Sequence, residues 1–142
     1  MSNRENLLYT ALFVLDIDFL IKTFRPKHNI VYGHHSTISF KPEGLSGIEL
    51  GKKQKIKILG RTYDEKGDVL LVENKRSKNK FPHITLSCAE GVDPFYSNEL
   101  LEKSFTTDKI ELLDEQIEIE VIEGYSDGKI IFLTYDAVLA VS

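Results

Sequence analysis

Histidine, threonine and serine recur at one spacing in two places of a 142-residue chain: His35 to Ser39 reads HSTIS, and His83 to Ser87 reads HITLS. Each segment pairs an imidazole with a hydroxyl two residues on, and puts an aliphatic side chain in the fourth place. In an extended strand, residues i and i+2 face the same side about 7 Å apart, so each segment would aim His35 with Thr37, or His83 with Thr85, in a common direction. Two such strands side by side would surround a phosphate. Breaking a phosphodiester near neutral pH needs one group to take a proton from the attacking water and another to give one to the departing oxygen. Histidine titrates in that range. The threonine hydroxyls can donate to the non-bridging oxygens, whose charge must be stabilised as phosphorus becomes five-coordinate. The scheme calls for no metal and no cofactor.

By composition alone, four histidines would yield about half an occurrence of His-x-Ser/Thr. The chain has three, because His34 with Ser36 also qualifies, and the pentapeptide echo is what favours His35. Three other readings stand beside the paired site. In the first, these are strand histidines satisfied by local hydrogen bonds. In the second, His34, His35 and His83 with a carboxylate hold a metal ion, although adjacent strand histidines point to opposite faces and do not easily share one. In the third, the cleft is a non-catalytic module for RNA ends or nucleotides. Such a binder has no need of two titrating imidazoles where one Arg would do.

Around the motifs, Arg76, Lys78 and Lys80, with Lys75 in the same cluster, could hold a flanking phosphate of the substrate, or form a solvated loop. Tyr32 could stack on a base or pack in the core, since ring-on-base contact is worth about 1–3 kcal/mol. Phe81 and Tyr96 are alternative stackers. Cys88 reads as a buried apolar filler, and His28 as a surface residue.

These side chains must be positioned by strands. Tyr9 to Leu15 (YTALFVL) is apolar throughout, which predicts a strand buried on both faces. Asp16 to Phe24 predicts a short helix with an acidic start, ended by Arg25 and Pro26. His35 to Phe40 alternates and runs into Pro42-Glu43-Gly44. Gln54 to Tyr63 and Asp68 to Glu73 bracket the connection Asp64 to Gly67, of hairpin length. Arg76 to Lys80 is a polar loop, and His83 to Cys88 a further strand. Asp93 and Pro94 predict a helix through Lys103, with Asp93 as N-cap. Gln116 to Glu123 and Lys129 to Thr134 predict a closing hairpin around Ser126-Asp127-Gly128. Seven or so strands with two helices, mostly joined by hairpins, make an α+β domain with a ligand groove between sheet halves.

The chain is one domain's worth, expected to be a single domain over residues 1–142. Its net charge of −4 and pI near 5.6 argue against non-specific coating of nucleic acid, which needs many Lys and Arg contacts. A single cysteine excludes an intrachain disulfide framework and fits a reducing cytoplasm. The polar first six residues, and a following apolar run broken by Asp16 and Asp18, predict neither a signal peptide nor a membrane anchor.

On these residues the chain resembles the 2H phosphoesterase superfamily, whose defining feature is two His-x-Thr/Ser-x motifs. It is most similar to the cyclic phosphodiesterase domain of plant and fungal tRNA ligases. The likeness is carried by Asn79 to Val92 (NKFPHITLSCAEGV), then Pro94 and Ser97 to Leu100, and less closely by His35 to Ile38. It spans roughly Tyr32 to Leu101. The resemblance implies a bilobal, pseudo-twofold fold with mainly antiparallel strands, the two motifs facing each other across a cleft. It also implies that the domain turns a 2′,3′-cyclic phosphate on an RNA 3′ end or a nucleotide into a 2′-phosphate, with His35, Thr37, His83 and Thr85 as the catalytic set. It leans towards His83 as the base. Two departures stand out. Ser36 occupies a usually apolar position, so the wall behind His35 is expected to be more open or the strand to begin later. The kinase and ligase domains that accompany the unit in tRNA ligases are not in this sequence. Cyclic oligonucleotide signals used in antiviral defence are therefore a second substrate class. No membrane and no obligatory protein partner are expected.

Overall fold

The computed structural model describes residues 7–133; the polar first six residues and Thr134, the expected end of the last strand, lie outside. The described elements are β1 (Tyr9–Val14), α1 (Ile17–Phe24), β2 (Ile30–Val31), β3 (His35–Phe40), β4 (Lys53–Tyr63), β5 (Gly67–Glu73), β6 (His83–Cys88), α2 (Tyr96–Thr106), β7 (Glu111–Ser126) and β8 (Ile131–Phe132). The strands form one antiparallel sheet in the order β2-β6-β5-β4-β7-β1-β3, with β8 on β7. The α+β expectation is met. The order is symmetric about the central β4–β7 pair, which sets β5 against β1 and β6 against β3.

The motif strands carry this symmetry to single residues. On β3, His35 lies opposite Phe13 and Thr37 opposite Ala11, and the register then skips Ile38 so that Ser39 meets Thr10. On β6, His83 lies opposite Leu71 and Thr85 opposite Val69, and the register skips Leu86 so that Ser87 meets Asp68. Each strand therefore bulges at the aliphatic fourth residue of its pentapeptide. A bulge adds one residue to one strand and bends it there.

Burial explains which way the motifs face. Ile38, Ile84 and Leu86 belong to the main core with Leu12, Val14, Leu70 and Val72. Each buried aliphatic contributes about 1.5–3 kcal/mol. A slip of one residue would expose all three and turn the histidines inward, so the register is strongly held. Ser36, the departure from the apolar pattern, is fully buried and accepts a hydrogen bond from Asn74 Nδ2 at 3.0 Å. The wall behind His35 is thus closed by a polar pair, and β3 begins at His35 itself.

Strands at opposite ends of the order are joined by one short segment. β2 pairs with Ser87 and Cys88 of β6, and Tyr32 N and Gly33 N bond to Leu86 O and Thr85 O at 2.8 and 2.9 Å. One residue later, His34 O accepts from Val14 N of β1 at 2.8 Å. The two-residue β2 is too short for periodicity to reveal. On the far edge of β3, Ser77 Oγ bonds to Thr37 O at 2.8 Å and Lys78 N to Ile38 O at 2.8 Å. The loop of residues 74–80 is therefore a strap along the first motif rather than a free surface loop.

Helix α1 follows its expected signals: Asp16 Oδ1 caps Phe19 N at 3.1 Å, and Leu20 and Phe24, one turn apart, enter the core. Helix α2 starts later than Asp93 and ends later than Lys103. Asp93 Oδ1 does accept from Phe95 N, but Tyr96, Ser97 and Asn98 bond back three residues to Asp93, Pro94 and Phe95. A tight i→i+3 turn thus precedes the α-helix. Strand β7 also starts earlier than Gln116. Its first residues pair with β4 at Gly60, where a Cβ would lie 2.9 Å from Glu111 O.

Candidate active site

His35 and Thr37 from β3, and His83 and Thr85 from β6, line one cavity of about 540 Å³. The expected groove between sheet halves is this cavity. Tyr9, Tyr32, Phe40, Pro94 and Phe95 give it apolar walls; Asn79 and Asn98 add polar groups. Its titratable or charged lining groups among the described residues are His34, His35, His83, Asp93 and the two tyrosines, with no Lys or Arg. An anion here would depend on protonated imidazole and on hydrogen-bond donors for its stabilisation.

The two histidines differ in their surroundings. His83 Nδ1 lies 2.7 Å from Phe81 O. A carbonyl only accepts, so Nδ1 carries the hydrogen, and in the neutral ring Nε2 holds a lone pair ready to take a proton. Burial lowers the His83 pKa, partly opposed by that carbonyl, which favours the charged form. His35 has no such anchor. Its Nδ1 is buried without a hydrogen-bond partner among the described residues. Its ring stacks on Tyr9 (centroids 4.6 Å, planes 20° apart) and meets Phe13 at 5.6 Å. Burial, reinforced by His34 and His83, lowers the His35 pKa to about 4. An orphaned lone pair costs less than an orphaned N–H, so the neutral ring favours the hydrogen on Nε2.

The hydroxyls differ as well. Thr85 Oγ1 lies 2.8 Å from Ser97 Oγ, itself buried in the first turn of α2. The Thr37 hydroxyl makes no hydrogen bond among the described residues, while its backbone carbonyl is held by Ser77. His34 corrects the argument from alternation: it shares the cavity with His35 because Gly33, at φ 79°, turns the chain just before the strand begins. Even so, no group of three or more His, Cys, Asp and Glu is gathered around one point among the described residues.

A family model of the fungal tRNA ligase phosphodiesterase domain matches residues 51–126. The chain belongs to that family. The match contains the second motif and begins after the first. The crystal structure of a fungal RNA kinase superposes with a TM-score of 0.58 at 14% identity, over 81% of this chain and 45% of that one. It supports the 2H-type fold, and this chain spans less than half of that protein's length. No curated protein matches.

In this phosphodiesterase domain the remaining expected binding residues are spread out. Tyr32 lines the cavity; Arg76, Lys78, Lys80 and Phe81 do not. Arg76 donates to both carboxylate oxygens of fully buried Glu123, with Nε to Oε1 at 3.0 Å, and to Gly47 O. Lys80 pairs with Glu102 at 2.9 Å. Phe81 stacks on Phe105 at 4.5 Å beside the small core formed by Val69, Leu71, Leu100 and Leu101. Tyr96 bonds to Asp64 and lies outside the cavity. Cys88 is buried, and His28 Nε2 meets Asp64 O at 2.8 Å. Sequence reasoning missed Phe40, Asn79, Phe95 and Asn98. Phe40 and Phe95, both well exposed, line the cavity and meet edge-on at 6.1 Å, and their exposure follows only from the fold. No helix of the described residues is long and apolar enough to cross a membrane.

Proposed function

We propose that this domain hydrolyses a 2′,3′-cyclic phosphate to a 2′-phosphate. The observation that carries the reading is the convergence of His35, Thr37, His83 and Thr85 on one cavity. His83 Nε2 takes a proton from water, whose oxygen bonds to phosphorus in line with the 3′ oxygen. The bond from phosphorus to that oxygen breaks, and His35 gives it a proton. Thr37 and Thr85 donate to the non-bridging oxygens as their charge grows.

His35 must be charged to act as the acid, yet against its protein neighbours alone it holds its proton only below about pH 4. The substrate supplies the missing stabilisation. An anion about 4 Å away, at an effective dielectric of about 20, favours the imidazolium by roughly 4 kcal/mol, about 10³-fold in protonation. A base leaving the sugar would meet the rings of Tyr32 or Phe95, where stacking is tolerant of base identity.

Incubation in EDTA with 2′,3′-cyclic mononucleotides, a cyclic-phosphate-ended RNA, and 3′,5′-linked cyclic di- and trinucleotides tests the proposal. Turnover of the first two with a 2′-phosphate product is expected. Turnover of the last alone would assign the domain to signal degradation, and binding without turnover to a non-catalytic module.

A further inference from the structure

The strap of residues 74–80 is fixed to β3 at three successive points. Asn74 Nδ2 donates to Ser36 Oγ at 3.0 Å, Ser77 Oγ to Thr37 O at 2.8 Å, and Lys78 N to Ile38 O at 2.8 Å. Asn79 follows directly. Faces alternate along both chains: Lys78 and Ile38 line a second cavity on the far side of this edge, whereas Asn79 and Thr37 line the cavity of the histidines. The Ser77 hydroxyl links these last two residues, because it donates to Thr37 O and accepts from Asn79 N at 3.1 Å. Asn79 is thereby held beside the first motif, on the edge of β3 that β1 leaves open.

The Asn79 carboxamide is half-buried, and it makes no hydrogen bond among the described residues. Both of its N–H hydrogens are available to whatever enters the cavity. The other amide of the lining differs, since Asn98 Nδ2 donates locally to Phe95 O at 3.2 Å. Thr85 has the Ser97 hydroxyl beside it at 2.8 Å, but the Thr37 hydroxyl has only the unpartnered Asn79 for a polar neighbour on the strap. With no Lys or Arg in the lining, charge that grows on a phosphate oxygen must be met by imidazolium and by neutral donors.

Resting on the reading of this cavity as the reaction site, we propose that Asn79 is a further catalytic residue whose Nδ2 donates to the same non-bridging phosphate oxygen as the Thr37 hydroxyl. Water gives its oxygen to phosphorus and its proton to His83, so the phosphate group gains one negative charge before the 3′ oxygen departs. Two donors from one edge of the sheet then share that charge. The bond from Asn79 is stronger in the five-coordinate state than in the bound substrate, and it acts on kcat rather than on KM.

The test uses the Rp and Sp isomers of a 2′,3′-cyclic phosphorothioate nucleotide beside the all-oxygen parent, with the wild type, Asn79→Ala, Thr37→Ala and Thr85→Ala. Asn79→Ala should lower kcat for the parent about 10²-fold at nearly constant KM. Its thermal midpoint should not change, because the side chain holds nothing in the fold. Sulfur accepts hydrogen bonds weakly, so the wild type should turn over each isomer more slowly than the parent. Asn79→Ala should erase most of that penalty for one isomer alone, Thr37→Ala for the same isomer, and Thr85→Ala for the other. A loss in kcat of less than about threefold, a penalty kept for both isomers, or one erased for the isomer that Thr85→Ala selects would overturn the proposal. If the wild type turns over none of the three substrates, the reading of the cavity as a reaction site fails. The affinity of a 2′-phosphorylated mononucleotide for the wild type and Asn79→Ala then tests the contact itself: weaker binding by the variant upholds it, and equal binding overturns it.

Discussion

Tyr9 lies flat against His35, with ring centroids 4.6 Å apart, and the stack leaves the imidazole without a carboxylate or carbonyl partner at Nδ1 among the described residues. The two histidines are therefore unequal: His83 is held by the Phe81 carbonyl, whereas His35 is held by packing.

This inequality sets a pH dependence of stability. The folded protein holds the His35 proton only below about pH 4, while the unfolded chain binds it below about 6.5. Between those values the unfolded state carries more protons, so the free energy of unfolding falls as pH drops through that window. The lowered pKa values of His34 and His83 act in the same direction. Denaturant titrations from pH 7 to 4 should show the decline, and His35→Gln should flatten part of it. An unchanged slope in that variant would remove His35 as its source.

Binding of an anion reverses the effect. A 2′-phosphorylated mononucleotide should bind more tightly as pH falls from 7 towards 5, with net proton uptake. Calorimetry in buffers of different ionisation enthalpy measures that uptake. Binding with no proton uptake would mean that the phosphate does not face His35.

Replacing either His35 or His83 with Ala should lower kcat by on the order of 10²–10⁴. Both sit on well-paired strands, and circular dichroism should report an intact fold. Loss of less than about tenfold at either position would remove that residue from proton transfer.

Ser97 positions Thr85. Its buried hydroxyl lies 2.8 Å from Thr85 Oγ1 and has no other hydrogen-bond partner among the described residues. Ser97→Ala should cost about three- to tenfold in kcat/KM, since a single neutral hydrogen bond is worth about 0.5–1.5 kcal/mol. Combined with Thr85→Ala it should cost no further activity. Fully additive losses would show that the two hydroxyls act apart.

Arg76→Ala should act on stability and leave KM for a cyclic mononucleotide unchanged. It leaves the fully buried carboxylate of Glu123 with the Glu49 N–H as its remaining partner among the described residues, and removing a partner from a buried acceptor costs about 1–3 kcal/mol. Thermal unfolding checks the loss. A variant with unchanged stability and raised KM would return Arg76 to the substrate.

The strands His35–Phe40 and His83–Cys88 were legible residue for residue, because alternation between a core face and a polar face is a local pattern that burial enforces. The same pattern put each histidine with its threonine. It failed at His34, where Gly33 turns the chain. The fate of the basic loop was not legible, since nothing near Arg76 in the chain announces Glu123, 47 residues away. That β3 and β6 meet around one cavity was decided only when residues 30–35 joined the two ends of the sheet order, a long-range closure made of backbone hydrogen bonds that any side chains could have formed. The residue types of the site belong to the sequence; their convergence, and the separation of the basic side chains from the histidines, belong to the tertiary fold.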